Sequence, residues 1–187
     1  MCSSDLIGVL NTGWARTPAI FDAYRKRERE AGREPASERL AYMALIGVGD
    51  TRKEGHRRAD QILDYSRTSG NVAAQFANPP GYVPAAGAVQ MLKGGGAMAA
   101  RATRVQTKDG TPINPRTMTV AQAIDAGLSF AGTPDDVFDQ LKAFYDHVGG
   151  FGHLLMMGQG GHLSHQDTVA NLTLFSKEVL PRLAELG

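Results

Sequence analysis

The chain has 187 residues, of which 42% are apolar and 21% charged, and its formal net charge is +1. This balance is typical of one globular domain and gives no electrostatic reason to bind nucleic acid or a membrane surface. No apolar run approaches the roughly 18–20 residues that span a bilayer, no signal peptide is recognisable, and one cysteine cannot form an internal disulfide. We therefore expect a cytoplasmic protein without nucleic-acid or membrane partners.

The first third of the chain predicts two strand–helix units. A short apolar strand over 6–10 is followed by Thr17 as N-cap and Pro18 at the first helical position, which predicts a helix to about residue 31. A second strand over 40–48 is apolar almost throughout, as expected for a parallel strand covered on both faces. A charged helix over about 52–67 follows it.

Between residues 68 and 117 the apolar periodicity is lost. Pro-Pro-Gly, Gly-Gly-Gly and Asp-Gly steps interrupt this stretch, and only short helices near 85–92 and 120–126 are predicted. A loop of this length inside a compact domain is usually functional. We therefore expect this stretch to be a long functional loop or insert.

The last third predicts a helix, a strand and a final helix. Thr133 before Pro134 and two acidic residues marks the clearest helix start in the chain. A third strand is predicted over 153–157, and a helix capped by Ser164 runs to about residue 186, with a kink or looser turn expected at Pro181. Repeated strand–helix units with apolar strands predict an α/β fold with a parallel sheet.

Only three strands are recognised, whereas a closed (β/α)8 barrel needs eight and about 250 residues. Three strands leave at least one long edge unpaired, which is a hazard for a solitary domain. The pattern therefore indicates part of a larger architecture.

Three linked motifs carry a resemblance to a known family. They are GTPDDV at 132–137, GHLLMMGQ at 152–159 and LFSKEVLPRL at 174–183. Together they resemble the end of the bacterial luciferase-like flavin-dependent monooxygenases, in which such a helix start precedes the last barrel strand. The match is looser over 6–60, which resembles the sixth and seventh units of that barrel.

The resemblance implies a partial (β/α)8 TIM barrel: about the last three β/α units, with 68–130 as a variable insert or loop before the final one. It implies that reduced flavin, usually FMN and in some branches F420, is held at the carboxyl ends of the strands. It also implies oxygenation of a small organic substrate with dioxygen, possible supply of flavin by a reductase, and a possible homodimer. In this family much of the flavin contact comes from earlier strands, so the chain alone is expected to be inactive.

Residues just beyond the carboxyl ends of barrel strands form the site in this fold. The candidates for cofactor or substrate contact are Asn11, Thr12, Trp14, Gln159 and His162. Trp14 has an alternative role as a packing aromatic, Asn11 as a turn residue, and Gln159 and His162 as parts of a glycine-rich loop. No catalytic residue is assigned.

Other motifs point to weaker alternatives. His162 and His165 lack the further ligands that a metal needs, so no metal site is expected. The Gly-rich 94–99 segment matches G-x-G-x-x-G/A, but no adequate strand precedes it. The loop 158–161 before a helix leaves open a different barrel enzyme that acts on a phosphorylated substrate.

The leading interpretation is a fragment of a flavin-dependent monooxygenase, and the alternative is a non-catalytic, shortened barrel module that dimerises through its unpaired edge. The first residues, MCSSDL, resemble the translation of a common sequencing-adapter end. We therefore expect 1–5 to be adapter-derived and 6–187 to be the C-terminal part of the barrel.

Overall fold

The computed structural model describes residues 6–7, 12–68 and 105–186, with only the backbone described at 6–7. The described residues form a four-stranded sheet in which every pairing is parallel. Its strands are β1 (Leu6–Ile7), β2 (Leu40–Val48), β3 (Ser129–Gly132) and β4 (His153–Met157). The α/β fold class and the parallel sheet predicted from the sequence are confirmed.

Strand β2 is the centre of the sheet. Its Ala41 pairs with both Ile7 and His153, and its Leu45 pairs with both Ser129 and Met157. Strand β4 therefore occupies one side of β2, while β1 and β3 share the other side. In a (β/α)8 barrel each strand pairs with the next strand along the chain. The order here differs, because β4 pairs with β2 and not with β3.

Six α-helices accompany the described part of this sheet. They are α1 (Gly13–Glu30), α2 (Arg52–Thr68), α3 (Val120–Asp125), α4 (Pro134–Val148), α5 (His165–Leu174) and α6 (Leu180–Ala184). A 3₁₀ turn at Ser37–Arg39 precedes β2, and a π-helical turn at Phe175–Val179 joins α5 to α6. None of the helices in these described ranges is long and apolar enough to cross a membrane.

Several predicted boundaries are confirmed. The second predicted strand is β2 and the third is β4, each with the predicted bounds. Thr133 caps α4 through a reciprocal pair of bonds with Asp136, and Ser164 Oγ accepts from the amide of Asp167 at the start of α5. The short helix near 120–126 is α3, whereas the one near 85–92 lies outside the described residues.

The predicted start of the first helix is wrong. The helix begins at Gly13 rather than Pro18, and Thr12 is its N-cap. Proline has no amide hydrogen, so the carbonyl of Trp14, four residues earlier, loses its helical donor. His147 Nε2 lies 3.0 Å from that oxygen and donates to it, which lets Pro18 lie inside the helix.

The count of three strands is also wrong, because β3 was not recognised. Its four residues are all buried, but they are too few to show a period, and the strand straddles the end of the predicted insert at residue 130. Strand β3 pairs with the carboxyl half of β2, and its Gly132 leads directly into the Thr133 cap. The part of the predicted insert from 105 onward thus belongs to the fold, while 69–104 lies outside the described residues.

Side chains pack on both faces of the sheet. On one face, α1, α4 and the C-terminal helices bury the even-numbered residues of β2 together with Phe130 and Phe144. On the other face, Leu45 packs with Ile62 and Leu63 of α2 and with a group from the 105–128 segment. That group comprises Val105, Ile113, Met118, Ala123, Ala126 and Leu128. The nearly unbroken apolar sequence of β2 is explained by this two-sided burial.

The looser turn predicted near Pro181 is confirmed as a π-helical turn that ends at Val179. The wider turn places Phe175 and Val179 in the core and precedes the proline, whose missing amide could not continue an α-helical ladder.

Candidate functional site

The candidate site is the edge of the sheet where β2, β3 and β4 end, which we call the carboxyl edge. In parallel α/β folds ligands bind at this edge because the strands all end there. Each strand is followed by a helix: α2 starts at Arg52, α4 at Pro134 and α5 at His165. Three helix amino termini therefore lie along one edge, each with the positive end of its dipole.

Val48, the last residue of β2, is held by two buried side chains. Asn171 Oδ1 accepts from the Val48 amide at 2.6 Å, and Arg58 Nη1 donates to the Val48 carbonyl at 2.6 Å. Next to it, the amide of Gly49 donates to the carbonyl of Gly132 at 2.9 Å, which joins the ends of β2 and β3. The chain leaving β2 is thus fixed on three sides before it reaches the exposed residue Asp50.

Asn171 also joins β2 to β4. Its Nδ2 donates to the carbonyls of Ile46 and Gly158, each at 2.9 Å, and its side chain has no solvent exposure. The pairing of β2 with β4 stops at Leu45 and Met157, so this amide takes the place of the next ladder bonds. One side chain from α5 therefore completes the sheet where β4 departs.

Arginines surround the carboxyl edge, and the structure pairs each of them with a carboxylate. Arg52 forms a bidentate pair with Asp136, and Arg57 pairs with Asp167 at 2.6 Å. Arg58 reaches both Glu54 and Asp167. These three guanidinium groups therefore fix the starts of α2, α4 and α5 relative to one another.

The ion pairs determine the titration of two carboxyls. The hydrogen bond from Arg52 lowers the pKa of Asp136 far below its ordinary value, against the opposing effect of burial. The hydrogen bond from Arg57 does the same to the pKa of Asp167, aided by Ser164 and Arg58. A carboxyl with a lowered pKa in the folded state contributes stability that is present above its ordinary pKa and is lost as the pH falls.

Because the pKa of Asp136 is lowered in the folded state, we predict that Asp136→Asn reduces the free energy of unfolding most at neutral pH. The expected loss is about 1–2 kcal/mol at pH 7, because the Thr133 cap and the Arg52 pair are both weakened. The difference in free energy of unfolding between the variant and the wild type should become smaller as the pH falls below about 4. Urea unfolding at pH 7 and at pH 2.5 measures this difference. Asp125→Asn is the control, because Asp125 is exposed. A gap that stays constant with pH would contradict the assignment.

The structure places Gln159 and His162 together in the loop between β4 and α5. Both side chains are exposed, and the imidazole of His162 lies 3.8 Å from a carboxylate oxygen of Asp64. The loop is held against α2, because the His162 amide donates to the carbonyl of Gln61 at 3.3 Å. A side chain at Gly161 would overlap that same carbonyl, so this glycine is needed for close contact with α2 rather than for a ligand.

Thr12 and Trp14 lie elsewhere. The indole of Trp14 packs on the rings of Phe144 and His147 and against Gly127, in the turn that enters β3 at its amino end. Thr12 lies beside it at the start of α1. Asn11 falls outside the described residues. The structure therefore brings Gln159 and His162 together but does not join them with Thr12 and Trp14, whose contacts are those of packing and capping residues.

Sequence reasoning missed Asn171 and Arg58. Asn171 had a detectable signal, because Thr168, Asn171 and Phe175 follow at helical spacing on the buried face of α5. A polar residue in such a stripe must find hydrogen-bond partners. Arg58 had no comparable signal within the highly charged α2.

The described residues by themselves do not fit a flavin. The arginines of the carboxyl edge are already paired, and the glycines of the 158–161 loop approach α2, Met156 or Leu172. The buried polar atoms without a partner in the described residues are Trp14 Nε1, Tyr24 Oη and Ser129 Oγ, and none belongs to the strand-end loops. Among these residues, no group of three or more acidic, histidine or cysteine side chains is placed to hold a metal.

Comparison with known proteins gives a consistent result. A sequence model described as luciferase-like monooxygenase matches residues 4–150. No curated protein sequence matches significantly. The monooxygenase RslO1 from Streptomyces bottropensis is structurally similar, with a TM-score of 0.60 and 15% identity, over 95% of this chain and 41% of that one.

A second similar structure is the oxygenating constituent of 3,6-diketocamphane monooxygenase from Pseudomonas putida, a type II Baeyer–Villiger enzyme in complex with FMN. Its TM-score is 0.54 at 22% identity, over 91% of this chain and 40% of that one. At these identities the likeness concerns the fold. The chain spans about two fifths of the length of both structures.

Proposed function

The chain belongs to the luciferase-like monooxygenase family, and from this premise we propose that it is part of a flavin-dependent monooxygenase. The proposed reaction uses reduced flavin and dioxygen to oxygenate a small organic substrate. The proposed cofactor is FMN, with F420 as the alternative, and a flavin reductase is the proposed source of reduced flavin. We further propose that the chain contributes C-terminal strand–helix units of a (β/α)8 barrel in a cytoplasmic enzyme.

The observation that carries this proposal is the family match over residues 4–150, which covers most of the chain. The structure is compatible with part of a (β/α)8 barrel, because three parallel strands end at one edge and each leads into a helix. The similarity to an FMN complex favours FMN over F420.

The role of the chain within the enzyme follows from its own residues. Asn171 fixes the ends of β2 and β4, and Arg58 holds the end of β2. We propose that the exposed loop of Gln159 and His162 contributes to ligand contact at this edge. Flavin, when bound, supplies the oxygen chemistry, while the protein positions the reactants and excludes water. We propose that the phosphate and most ring contacts come from outside the described residues.

We predict that the 187-residue chain does not bind FMN tightly, because the three described arginines of its carboxyl edge are already paired with carboxylates. Titration of oxidised FMN, followed by flavin fluorescence, and of reduced FMN, followed anaerobically by absorbance, should show no saturable binding below about 100 μM. Reduced F420 is titrated in parallel. Stoichiometric micromolar binding of either flavin would show that this chain contains a competent site.

The proposed reaction is tested with the complete gene product that contains this chain. That protein is incubated with FMN, a flavin reductase, NADH and ¹⁸O₂ together with a panel of small ketones, aldehydes and alkanes. Incorporation of one ¹⁸O atom into product, dependent on both reductase and oxygen, is expected. A complete gene product that shows no flavin-dependent oxygenation of any compound in the panel would contradict the proposal.

A further inference from the structure

The segment 105–113 folds as a hairpin that carries the chain's one Asp-Gly step. Val105 and Ile113 anchor its two arms, because both side chains are buried in the core beside α2 and the Ile113 amide donates to the Val105 carbonyl at 2.9 Å. Asp109 and Gly110 lie at the tip, where both are exposed. Water therefore reaches the Asp-Gly step while the arms on either side of it are held.

An Asp-Gly step can rearrange its own backbone. The glycine amide nitrogen attacks the carboxyl carbon of the aspartate side chain, a C–N bond forms, and the carboxyl hydroxyl leaves with the amide proton as water. The product is a five-membered succinimide. Water then adds to one of its two carbonyls and opens the ring, either to aspartate or to isoaspartate, whose main chain runs through the former side chain. Glycine favours this reaction because no side chain shields its nitrogen, and no oxidant or cofactor is consumed.

In the hairpin, both reacting groups are bound by Thr107. The Gly110 amide donates to the Thr107 carbonyl at 3.0 Å, so the attacking nitrogen is engaged in the turn. The Asp109 carboxylate accepts from the Thr107 hydroxyl and, at 3.1 Å, from the Thr111 amide. Attack on the carboxyl carbon requires the carboxylate to leave these donors and the Gly110 amide to leave its acceptor. The reaction therefore needs the turn to open.

The same bonds keep the carboxyl ionised. The hydrogen bond from the Thr107 hydroxyl lowers the pKa of Asp109, and the Thr111 amide adds to this effect. An ionised carboxylate is a poor electrophile, because loss of its oxygen as water requires the protonated form. The turn thus opposes the rearrangement through both the position and the charge of the carboxyl group.

We propose that Asp109–Gly110 is a site of isoaspartate formation in this protein, and that Thr107 restrains the reaction by binding both reacting groups. The hydroxyl of Thr107 is the part of this restraint that a substitution can remove. Its loss frees the carboxylate from one of two donors, while the backbone bonds of the turn stay in place. The proposal does not depend on the flavin chemistry proposed above.

Isoaspartate would also change the contacts of the hairpin. The loop 108–110 ends with Gly110 in the left-handed region, at a φ of 86°, as is usual for the last residue of such a short hairpin loop. This loop places Nζ of Lys108 3.9 Å from the ring centroid of Trp14. Isoaspartate adds one carbon to the main chain, so the loop cannot keep this geometry. We therefore expect the reaction to release Lys108 from the Trp14 ring.

Ageing of the purified 187-residue chain at pH 7 tests the proposal, with isoaspartate located by peptide mapping and fragmentation mass spectrometry. Thr107→Val keeps the branched shape but lacks the hydroxyl, and it should form isoaspartate at residue 109 about tenfold faster than the wild type, because bonds to charged groups contribute on that scale. Thr107→Ser keeps a hydroxyl and should react as slowly as the wild type. In urea, where the turn is lost, the three chains should react at one common, faster rate.

Two further variants separate the turn from other causes. Thr117→Val, at an exposed position of the same segment, should match the wild type. Asp109→Glu keeps the charge but cannot close a five-membered ring, so it should abolish the product. Circular dichroism confirms that each variant is folded before ageing.

The fluorescence of Trp14, the chain's one tryptophan, reports the consequence for the loop. Between fresh and aged Thr107→Val it should shift toward that of Lys108→Ala. Equal rates for folded wild type and Thr107→Val, a rate difference that persists in urea, isoaspartate only at other residues, or fluorescence unchanged by ageing would each overturn the proposal.

Discussion

Replacement of Asn171 with leucine is expected to lower the free energy of unfolding by about 3–5 kcal/mol. Leucine has a similar size and greater hydrophobicity, so burial alone predicts a gain. The side chain of Asn171, however, satisfies the Val48 amide and the carbonyls of Ile46 and Gly158, all in buried residues. Leucine leaves these three groups without a partner, and the desolvation cost exceeds the apolar gain.

Urea unfolding followed by circular dichroism measures this effect. Asn114→Leu is the matched control, because Asn114 is exposed and makes one local bond to the amide of Arg116, so its loss should stay within about 1 kcal/mol. Asn171→Asp keeps the acceptor for Val48 but turns an oxygen toward two carbonyls, and it should also destabilise. A leucine variant as stable as the wild type would show that Asn171 does not hold the ends of β2 and β4.

Much of the fold could be predicted from sequence because its signals are local. The two-sided burial of β2 produces an unbroken apolar run, and the caps at Thr133 and Ser164 each need only a side chain and the next turn of helix. Such features are decided within about four residues. The bounds of β2 and β4 and the starts of α4 and α5 were therefore predicted correctly.

The errors arose where distant contacts decide the structure. Pro18 is tolerated inside α1 because His147, far along the chain, supplies the missing donor. Strand β3 exists because β2 offers a partner edge, and its four residues carry no period of their own. Neither partner can be inferred from the neighbouring sequence, since tertiary contacts override local preference.

The sequence predicted at which edge of the sheet the candidate site lies, but not the buried residues that hold it together. The rule that strand ends carry ligands selected the loop of Gln159 and His162, which does follow the end of β4 and stays a prediction as a binding site. The same rule selected Trp14, yet that residue packs in the turn before β3. The buried residues that fix the edge, Asn171 and Arg58, lie on helices. A rule that selects residues after strand ends therefore does not select them.

Gly55→Ala is expected to destabilise the protein by about 1–3 kcal/mol, although helix propensity predicts the opposite sign. Alanine in the middle of a helix is favoured over glycine by about 1 kcal/mol. A methyl group at Gly55 would overlap the carbonyl of Gly132, so α2 could accept it only by moving away from β3. Backbone cannot rotate aside as a side chain can, and the packing cost should therefore exceed the gain in propensity.

The same contact explains why α2 approaches the sheet through glycines. A methyl group at Gly47 would lie 2.6 Å from the Ala59 amide, and one at Gly49 would lie 2.5 Å from the Gly55 amide. Thermal and urea unfolding of Gly55→Ala, with the exposed Lys53→Ala on the same helix as control, distinguish the two expectations. A stabilised Gly55→Ala would mean that α2 is not held at this distance. A loss of stability in Gly55→Ala but not in Lys53→Ala would support close packing of α2 on the backbone of Gly132, which also accepts the hydrogen bond from Gly49 at the carboxyl edge.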